Sequence, residues 1–197
     1  GDIIYDVNDF DEGYLGSYLY DLIRMAVSVR LFAEEAGYDP TPAIRNYVLE
    51  YLHDLKKYAL GKDPSDVCFT RDNTKGPIKK LIKKAEKKRE ELMGERTELV
   101  DGVRRFCTLP DMAAIDDPTR MAIESVWSSY IETIDAEDRR DESFYTIKDI
   151  VRKLDSGTAS IGLERYYILI EGEGGEEDLI LEMKQAQTSV PSLFLDR

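Results

Sequence analysis

Apolar residues recur at helical spacing in four stretches of the first two thirds of the chain. The pattern predicts helices at about 17–36, 41–61, 78–92 and 117–134. The first has little polar face, so we expect it to be well buried. Thr41 can cap the second, Pro42 suits its first helical position and Gly61 suits its end. The last is expected to turn four residues inward: Val126, Trp127, Tyr130 and Ile131.

The pattern changes after a charged break at 135–143. From there apolar and polar residues alternate, and β-branched and aromatic residues are common. We predict strands at about 147–154, 163–171 and 178–184, with a glycine-rich turn at 172–175. The chain is therefore predicted to be α+β, with a mostly helical part at 1–143 and an antiparallel β-meander at 144–197.

The stretch "YDVNDFDEGY", residues 5–14, places several acids beside residues that resemble a strand. The pattern predicts a strand from Ile3 to Phe10, with Ile3, Ile4, Val7 and Phe10 buried. Carboxylate and amide oxygens suit magnesium, so Asp9, with Asp11 or Asn8 beside it, is a candidate ligand set. Acids at a strand end, or an aspartate that caps the next helix, are the structural alternatives.

Composition narrows the class of protein. The chain has 197 residues, of which 42% are hydrophobic, enough for a core in one or two domains. A net charge of −13 argues against nucleic-acid binding, and the sequence has no apolar run that could span a membrane. Two separated cysteines, Cys68 and Cys107, indicate a reducing, cytoplasmic setting, and a single histidine argues against zinc.

One segment is basic although the chain as a whole has a negative net charge. Between Lys75 and Arg89 there are eight basic residues and one acidic residue. A solvated helix face is the favoured interpretation, and a docking site for an acidic partner is the alternative.

The β-meander contains a possible phosphate site. "SGTASIG" places Gly157 and Gly162 between two strands with Thr158 and Ser160 between them, and "LILEMK" ends at Lys184. A kinase small lobe has the same order of elements: strand, glycine-rich loop, strand, turn, strand and lysine. In a kinase the loop and the lysine hold the ATP phosphates. A plain hairpin and a solvent-facing lysine are the structural alternatives.

Taken in order, these motifs resemble the bacterial family catalogued as domain of unknown function 2252. They are "YDVNDFDEG", "YDLIRMAVSV", "GTASIG", "YYILIEG" and "LILEMKQAQTSV", spread from residue 5 to 190. The resemblance implies a circularly permuted member of the protein-kinase-like superfamily, near the aminoglycoside phosphotransferases. ATP and magnesium are the cofactors that it implies. Asp9 would bind the metal with Asp11 or Asn8, Lys184 would hold the α- and β-phosphates, and the Gly157–Gly162 backbone would cover them.

Two departures from the family pattern matter. Members carry a Gly-Asp-x-His-x-x-Asn-like catalytic loop ahead of the metal motif, but Asp2 is followed by no such histidine. The catalytic base is therefore expected in a segment absent here, and the chain is interpreted as part of a longer member. The usual Lys-Glu-Ala motif also reads Lys184-Gln185-Ala186.

Three functions follow as hypotheses. The first is an ATP- and magnesium-dependent phosphotransferase acting on a small molecule or protein. The second is a nucleotide-binding or scaffolding pseudokinase that transfers nothing. The third is an α+β interaction module whose basic helix docks an acidic partner. The sequence leaves the acceptor and the oligomeric state open.

Overall fold

The structure, a computed structural model, describes residues 3–7, 13–63, 67–154, 162–174 and 177–195. The chain divides into two compact units, Gly1–Ile78 with Thr188–Arg197, and Lys79–Gln187. A helical part precedes an antiparallel β-meander, so the predicted α+β class is confirmed. The functional division between residues 143 and 144 stays a prediction.

All four predicted helices are present. None of the described helices is long and apolar enough to cross a membrane. Asp116 caps the fourth by accepting a hydrogen bond from the Thr119 amide at 2.9 Å. At the second helix the prediction that Thr41 is the cap is wrong, because Pro40 is the N-cap residue and no described side chain makes a capping bond, although the Thr41 amide donates to Asp39 Oδ1 at 3.0 Å. The helices are α1 (Leu19–Glu35), α2 (Thr41–Ala59), α3 (Gly76–Arg96) and α4 (Asp117–Glu132), with 3₁₀ turns at Glu142–Tyr145 and Val190–Leu193.

In the first unit α1 packs against α2, and Tyr18 stacks on Tyr51 with ring centroids 6.2 Å apart. The prediction that α1 is well buried is wrong. Leu22 is its one buried residue in the described chain, and Ile23 is 60% exposed. The physical reason is that one neighbouring helix covers one stripe of an apolar helix and leaves its other faces in contact with solvent.

The opening segment is also less regular than its pattern predicts. Within residues 3–7, Tyr5 makes an isolated antiparallel bridge with Phe69, and its amide donates to the Phe69 carbonyl at 2.8 Å. Ile4 and Val7 are exposed, at 51% and 72%, so the expected burial is wrong for both. The single bridge to Phe69 does not bury these two side chains. Phe10 lies outside the described residues.

The second unit is built on a four-stranded antiparallel sheet of order β3-β4-β5-β6. The three predicted strands of the meander are confirmed, each within about two residues. The strands of the unit are β1 (Thr97–Val100), β2 (Val103–Phe106), β3 (Met112–Ala114), β4 (Ile147–Lys153), β5 (Arg165–Ile170) and β6 (Leu179–Lys184).

A hairpin of β1 and β2 was missed by the sequence interpretation. Its two central residues, Asp101 and Gly102, both have positive φ, at 52° and 79°. This is the backbone of a tight two-residue hairpin turn, for which Asp-Gly is a favoured pair. The signal was therefore present in "VDGV" but lay between two longer helices.

Both faces of the sheet are covered by side chains, because β4 and β5 supply apolar residues to both. Ile150, Ile168 and Ile170 face one core, together with Ile123 of α4 and Tyr145. The other core contains four buried residues: Phe106, Met112, Val151 and Leu169. Strands buried on both faces carry nearly continuous apolar runs, as "RYYILI" does.

On α4 the inward face differs from the predicted one. Ile123 is 5% exposed and belongs to the core, whereas Val126 is 51% exposed and Tyr130 is 39% exposed. Trp127 and Ile131 do pack against the core, as predicted. The Trp127 indole nitrogen donates to the Tyr145 carbonyl at 2.8 Å, which fixes α4 over the sheet.

A buried group of charges closes the end of the sheet where β5 ends and β6 begins. The Asp178 side chain has no exposed surface, and its Oδ1 accepts from Lys148 Nζ at 2.7 Å. Arg104 Nε lies 3.2 Å from Asp178 Oδ2 without a hydrogen bond, and Lys148 also pairs with Glu171 at 2.9 Å. Burial alone would lower the pKa of Lys148, but hydrogen bonds from it to Asp178 and Glu171 outweigh this and raise the pKa.

Candidate phosphate-binding site

Two of the predicted site residues lie in the described part of the chain. Gly162 is described, with φ of 85°, a backbone conformation that favours glycine. Lys184 is described at the end of β6 and is half-buried. The other predicted residues lie outside the described part of the chain: Asn8, Asp9, Asp11, Gly157, Thr158 and Ser160.

Lys184 lies at the end of the sheet where the glycine-rich link begins and ends. Strand β4 ends at Lys153, β5 begins at Arg165, and the link between them contains "SGTASIG". Lys184 is the register partner of Arg165. The predicted lysine is therefore at the same end of the sheet as the predicted loop.

Further charged residues share the sheet face of Lys184. Directly paired residues and residues two apart on a strand point to the same face. Arg165 is paired with Lys184, and Glu182 is two residues before Lys184. Val151 pairs with Tyr167. Lys153 lies two residues after Val151, and Arg165 lies two residues before Tyr167, so both point to the same face as that pair. Three cations and one carboxylate thus lie on one face at this end: Lys153, Arg165, Lys184 and Glu182.

Glu182 neutralises part of this charge. Its Oε1 accepts from Lys153 Nζ at 3.0 Å and lies 2.8 Å from Arg165 Nη2. The side chains of Lys153 and Arg165 are 19% and 11% exposed. Because both cations reach one oxygen atom, their charged groups are close neighbours at the mouth of the link.

A fourth cation joins the group from the end of α3. The Arg96 guanidinium lies 5.2 Å from the centre of the Tyr167 ring, and Lys153 Nζ lies 5.0 Å from the same centre. Arg96 Nη2 pairs with Asp111 Oδ2 at 2.7 Å. The Asp111 carbonyl in turn accepts from the Leu154 amide at 2.9 Å, which anchors the point where β4 leaves the sheet.

These neighbours shift the pKa values of Lys153 and Asp111. Burial would lower the pKa of Lys153, but hydrogen bonds to Tyr167 and Glu182 outweigh it and raise that pKa. The hydrogen bond from Arg96 holds the pKa of Asp111 below its usual value. Among the described residues the site brings together four basic and two acidic side chains: Arg96, Lys153, Arg165, Lys184, Asp111 and Glu182.

Two of the arginine side chains in this group each have a nitrogen atom that makes no hydrogen bond within the described residues. Arg96 Nη1 and Arg165 Nε are buried nitrogens with no hydrogen-bond partner in the described chain. Buried polar groups are rarely left in this condition, and guanidinium groups bind phosphate and carboxylate well. The site therefore has the chemistry to hold an anion.

Gln185, which stands where the family motif has glutamate, has a structural role. Its Oε1 accepts from the Glu164 amide at 3.0 Å, and its own amide donates to the Glu164 carbonyl at 2.8 Å. These bonds extend the pairing of β5 and β6 by one residue beyond the ladder. The side chain is thus engaged with the backbone next to Lys184.

No group of three or more metal-binding side chains occurs among the residues that the structure describes. The predicted magnesium ligands lie outside them and stay a prediction. The exposed lysines of α3 agree with a solvated face, and Lys87 pairs with Glu91 at 3.5 Å.

Sequence analysis found Lys184 and missed the three cations around it. Alternation within β6 was a usable signal, because "EMK" places Glu182 and Lys184 on one face. The position of Arg96 carried no such signal, since it depends on how α3 and the hairpin pack on the sheet.

Comparison with protein families identifies the chain. Residues 1–197 match the family described as "Uncharacterized protein conserved in bacteria", DUF2252. The chain belongs to this family. Comparisons with curated proteins and with solved structures gave no match. Membership in the DUF2252 family agrees with the resemblance of the five motifs and leaves the activity to be argued from the site.

Proposed function

We propose that this DUF2252 chain is a kinase-like phosphotransferase, or part of one, that uses ATP and magnesium. The observation that carries the proposal is the cationic face at the loop end of the sheet. There Lys184 lies beside Arg165 and close to the link that contains Gly157–Gly162. A glycine-rich loop over phosphates and a strand lysine beside them are the small-lobe parts of a kinase.

Each part has a role in this proposal. Lys184 holds the α- and β-phosphates, and the backbone of Gly157, Thr158, Ser160 and Gly162 covers them. Asp9 binds magnesium with Asp11 or Asn8, and magnesium neutralises charge on the phosphates. The chain then belongs to the protein-kinase-like superfamily in a circularly permuted order, with the metal motif first and the lysine last. Catalysis is positioning plus charge stabilisation, with the base supplied by another segment.

The protein would act in the cytoplasm, the compartment that its free cysteines favour. Both Cys68 and Cys107 are unpaired thiols. Disulfides form and persist mainly in oxidising compartments.

A second function, nucleotide binding without transfer, is favoured by Gln185. The amide of Gln185 is engaged with the Glu164 backbone, where the family motif has a charged carboxylate. A pseudokinase would keep the phosphate site and lose the chemistry. Both functions require nucleotide binding, and only the first includes transfer of the phosphoryl group.

The test is a thermal-shift titration with ATP, with and without magnesium, on wild type and on two variants. A ligand that binds only the folded state raises the melting temperature with its concentration. We expect a magnesium-dependent rise that is lost in Asp9→Ala and reduced in Lys184→Met, while Lys84→Met in α3 behaves as wild type. No rise at millimolar ATP in the wild type would contradict both functions. Release of phosphate or labelling of an acceptor would separate transfer from binding.

A further inference from the structure

Among the residues that the structure describes, the cations at the loop end of the sheet outnumber the carboxylates, and their arrangement is specific. Lys153 Nζ and Arg165 Nη2 both converge on Glu182 Oε1. The Arg96 guanidinium lies 5.2 Å from the centre of the Tyr167 ring, next to the same group. None of these three cations is the strand lysine of the kinase comparison.

We infer that Lys153, Arg165 and Arg96 form an anion subsite for a phosphate group, with Glu182 as its internal counter-ion. The subsite adjoins Lys184 but does not depend on the proposed function, because a phosphate can bind there without nucleotide or metal. Glu182 holds the two cations together while the site is empty of ligand. A bound phosphate competes with Glu182 for them.

Burial and hydrogen bonding support this assignment. Arg165 is 11% exposed, so its charge is screened less than that of a surface arginine. Arg165 Nε and Arg96 Nη1 have no hydrogen-bond partner among the described residues, so each guanidinium has a donor left for a ligand.

The counter-ion gives the subsite a distinctive test. A purely structural ion pair loses stability when Glu182 is neutralised and gains no ligand affinity. In an anion subsite the same change removes a competitor, so phosphate affinity rises. The sign of the effect of Glu182→Gln therefore separates the two roles.

The experiment is calorimetric titration with inorganic tripolyphosphate, without metal, at low ionic strength. We expect Lys153→Met and Arg165→Met each to weaken binding by about tenfold or more, as the loss of a charged hydrogen bond does. Glu182→Gln should bind severalfold more tightly. Lys84→Met, which removes an exposed cation of α3, should change the affinity by less than about twofold.

Two further ligands distinguish a nucleotide from free phosphate. ATP that binds no more tightly than tripolyphosphate would support the subsite and contradict the proposed function. ATP that binds more tightly, with the same loss in Arg165→Met, would support both. The inference is overturned if tripolyphosphate binds wild type and Arg165→Met equally, if Lys84→Met loses as much affinity, or if Glu182→Gln binds more weakly. Arg165→Lys, which keeps the charge, is the variant to use if Arg165→Met does not fold.

Discussion

Arg165 and Lys184 lie directly opposite each other on strands β5 and β6, so two cations share one face of the sheet at the end nearest the glycine-rich link. Glu182 and Lys153 complete the group on that face. Like charges directly opposite each other weaken a ladder by themselves. The anion subsite that we propose includes Arg165 and adjoins Lys184.

The α4 helix tests the core that supports this sheet. Ile123→Ala should lower the free energy of unfolding by about 2–5 kcal/mol, because a buried aliphatic side chain leaves a cavity. Val126→Ala, on the same helix but half exposed, should change it by less than about 0.5 kcal/mol. Urea unfolding followed by the fluorescence of Trp127, the sole tryptophan, measures both. Equal costs for the two variants would contradict the burial of Ile123 and the exposure of Val126.

The buried charges at the other end of the sheet should be sensitive to the loss of one partner. Asp178→Ala is expected to cost about 3–5 kcal/mol, since Lys148 and Arg104 would lose a counter-ion with no exposed surface. The exposed Asp138→Ala is the matched control and should be nearly neutral. Chemical denaturation of both variants gives the comparison, and a neutral Asp178→Ala would show that this network is not buried.

Two glycine turns in the second unit should differ in their tolerance of a methyl group. Gly102→Ala should cost about 1–2 kcal/mol, because its φ of 79° is unfavourable for alanine while the surrounding space is open. Gly172→Ala should cost more, because its Cβ would overlap the Glu177 carbonyl oxygen as well. Melting temperatures of the two variants rank them, and the reverse order would contradict the turn geometry.

The ion pair of Asp111 and Arg96 should make the free energy of unfolding depend on pH in the acid range. The pKa of Asp111 is below its ordinary 3.8 in the folded state, because Arg96 donates to the carboxylate. The stabilisation is therefore fully present above about pH 4 and is lost as the pH falls through the lower, folded-state pKa. Unfolding midpoints measured from about pH 6 to pH 2 should fall less steeply in Asp111→Asn than in wild type. Parallel curves would exclude this pair as a source of the acid dependence.

The positions of helices and strands could be predicted from the sequence better than the burial of their side chains. Strands β4, β5 and β6 follow from alternation and turn glycines, and α4 follows from Asp-Pro and helical periodicity. The burial of α1 did not follow, because an apolar pattern does not reveal how many neighbours will cover it. Strand β3 was missed because three residues are too few to show a period.

The candidate site was predictable only in part for a similar reason. Lys184 follows from motif order, whereas its pairing with Arg165 depends on the register of β5 and β6. The contact of Arg96 with Tyr167 depends on tertiary packing between residues distant in sequence. Local pattern can place a residue on a face, but it cannot say which faces meet.

The most direct test of the phosphate site uses a reactive ATP analogue with an acyl group on its terminal phosphate. A lysine amine near the phosphates attacks the acyl carbon and releases ATP, so peptide mapping identifies the lysine. We predict labelling of Lys184 and Lys153 that excess ATP prevents. Labelling confined to the exposed lysines of α3 and unaffected by ATP would contradict a phosphate site at this end of the sheet.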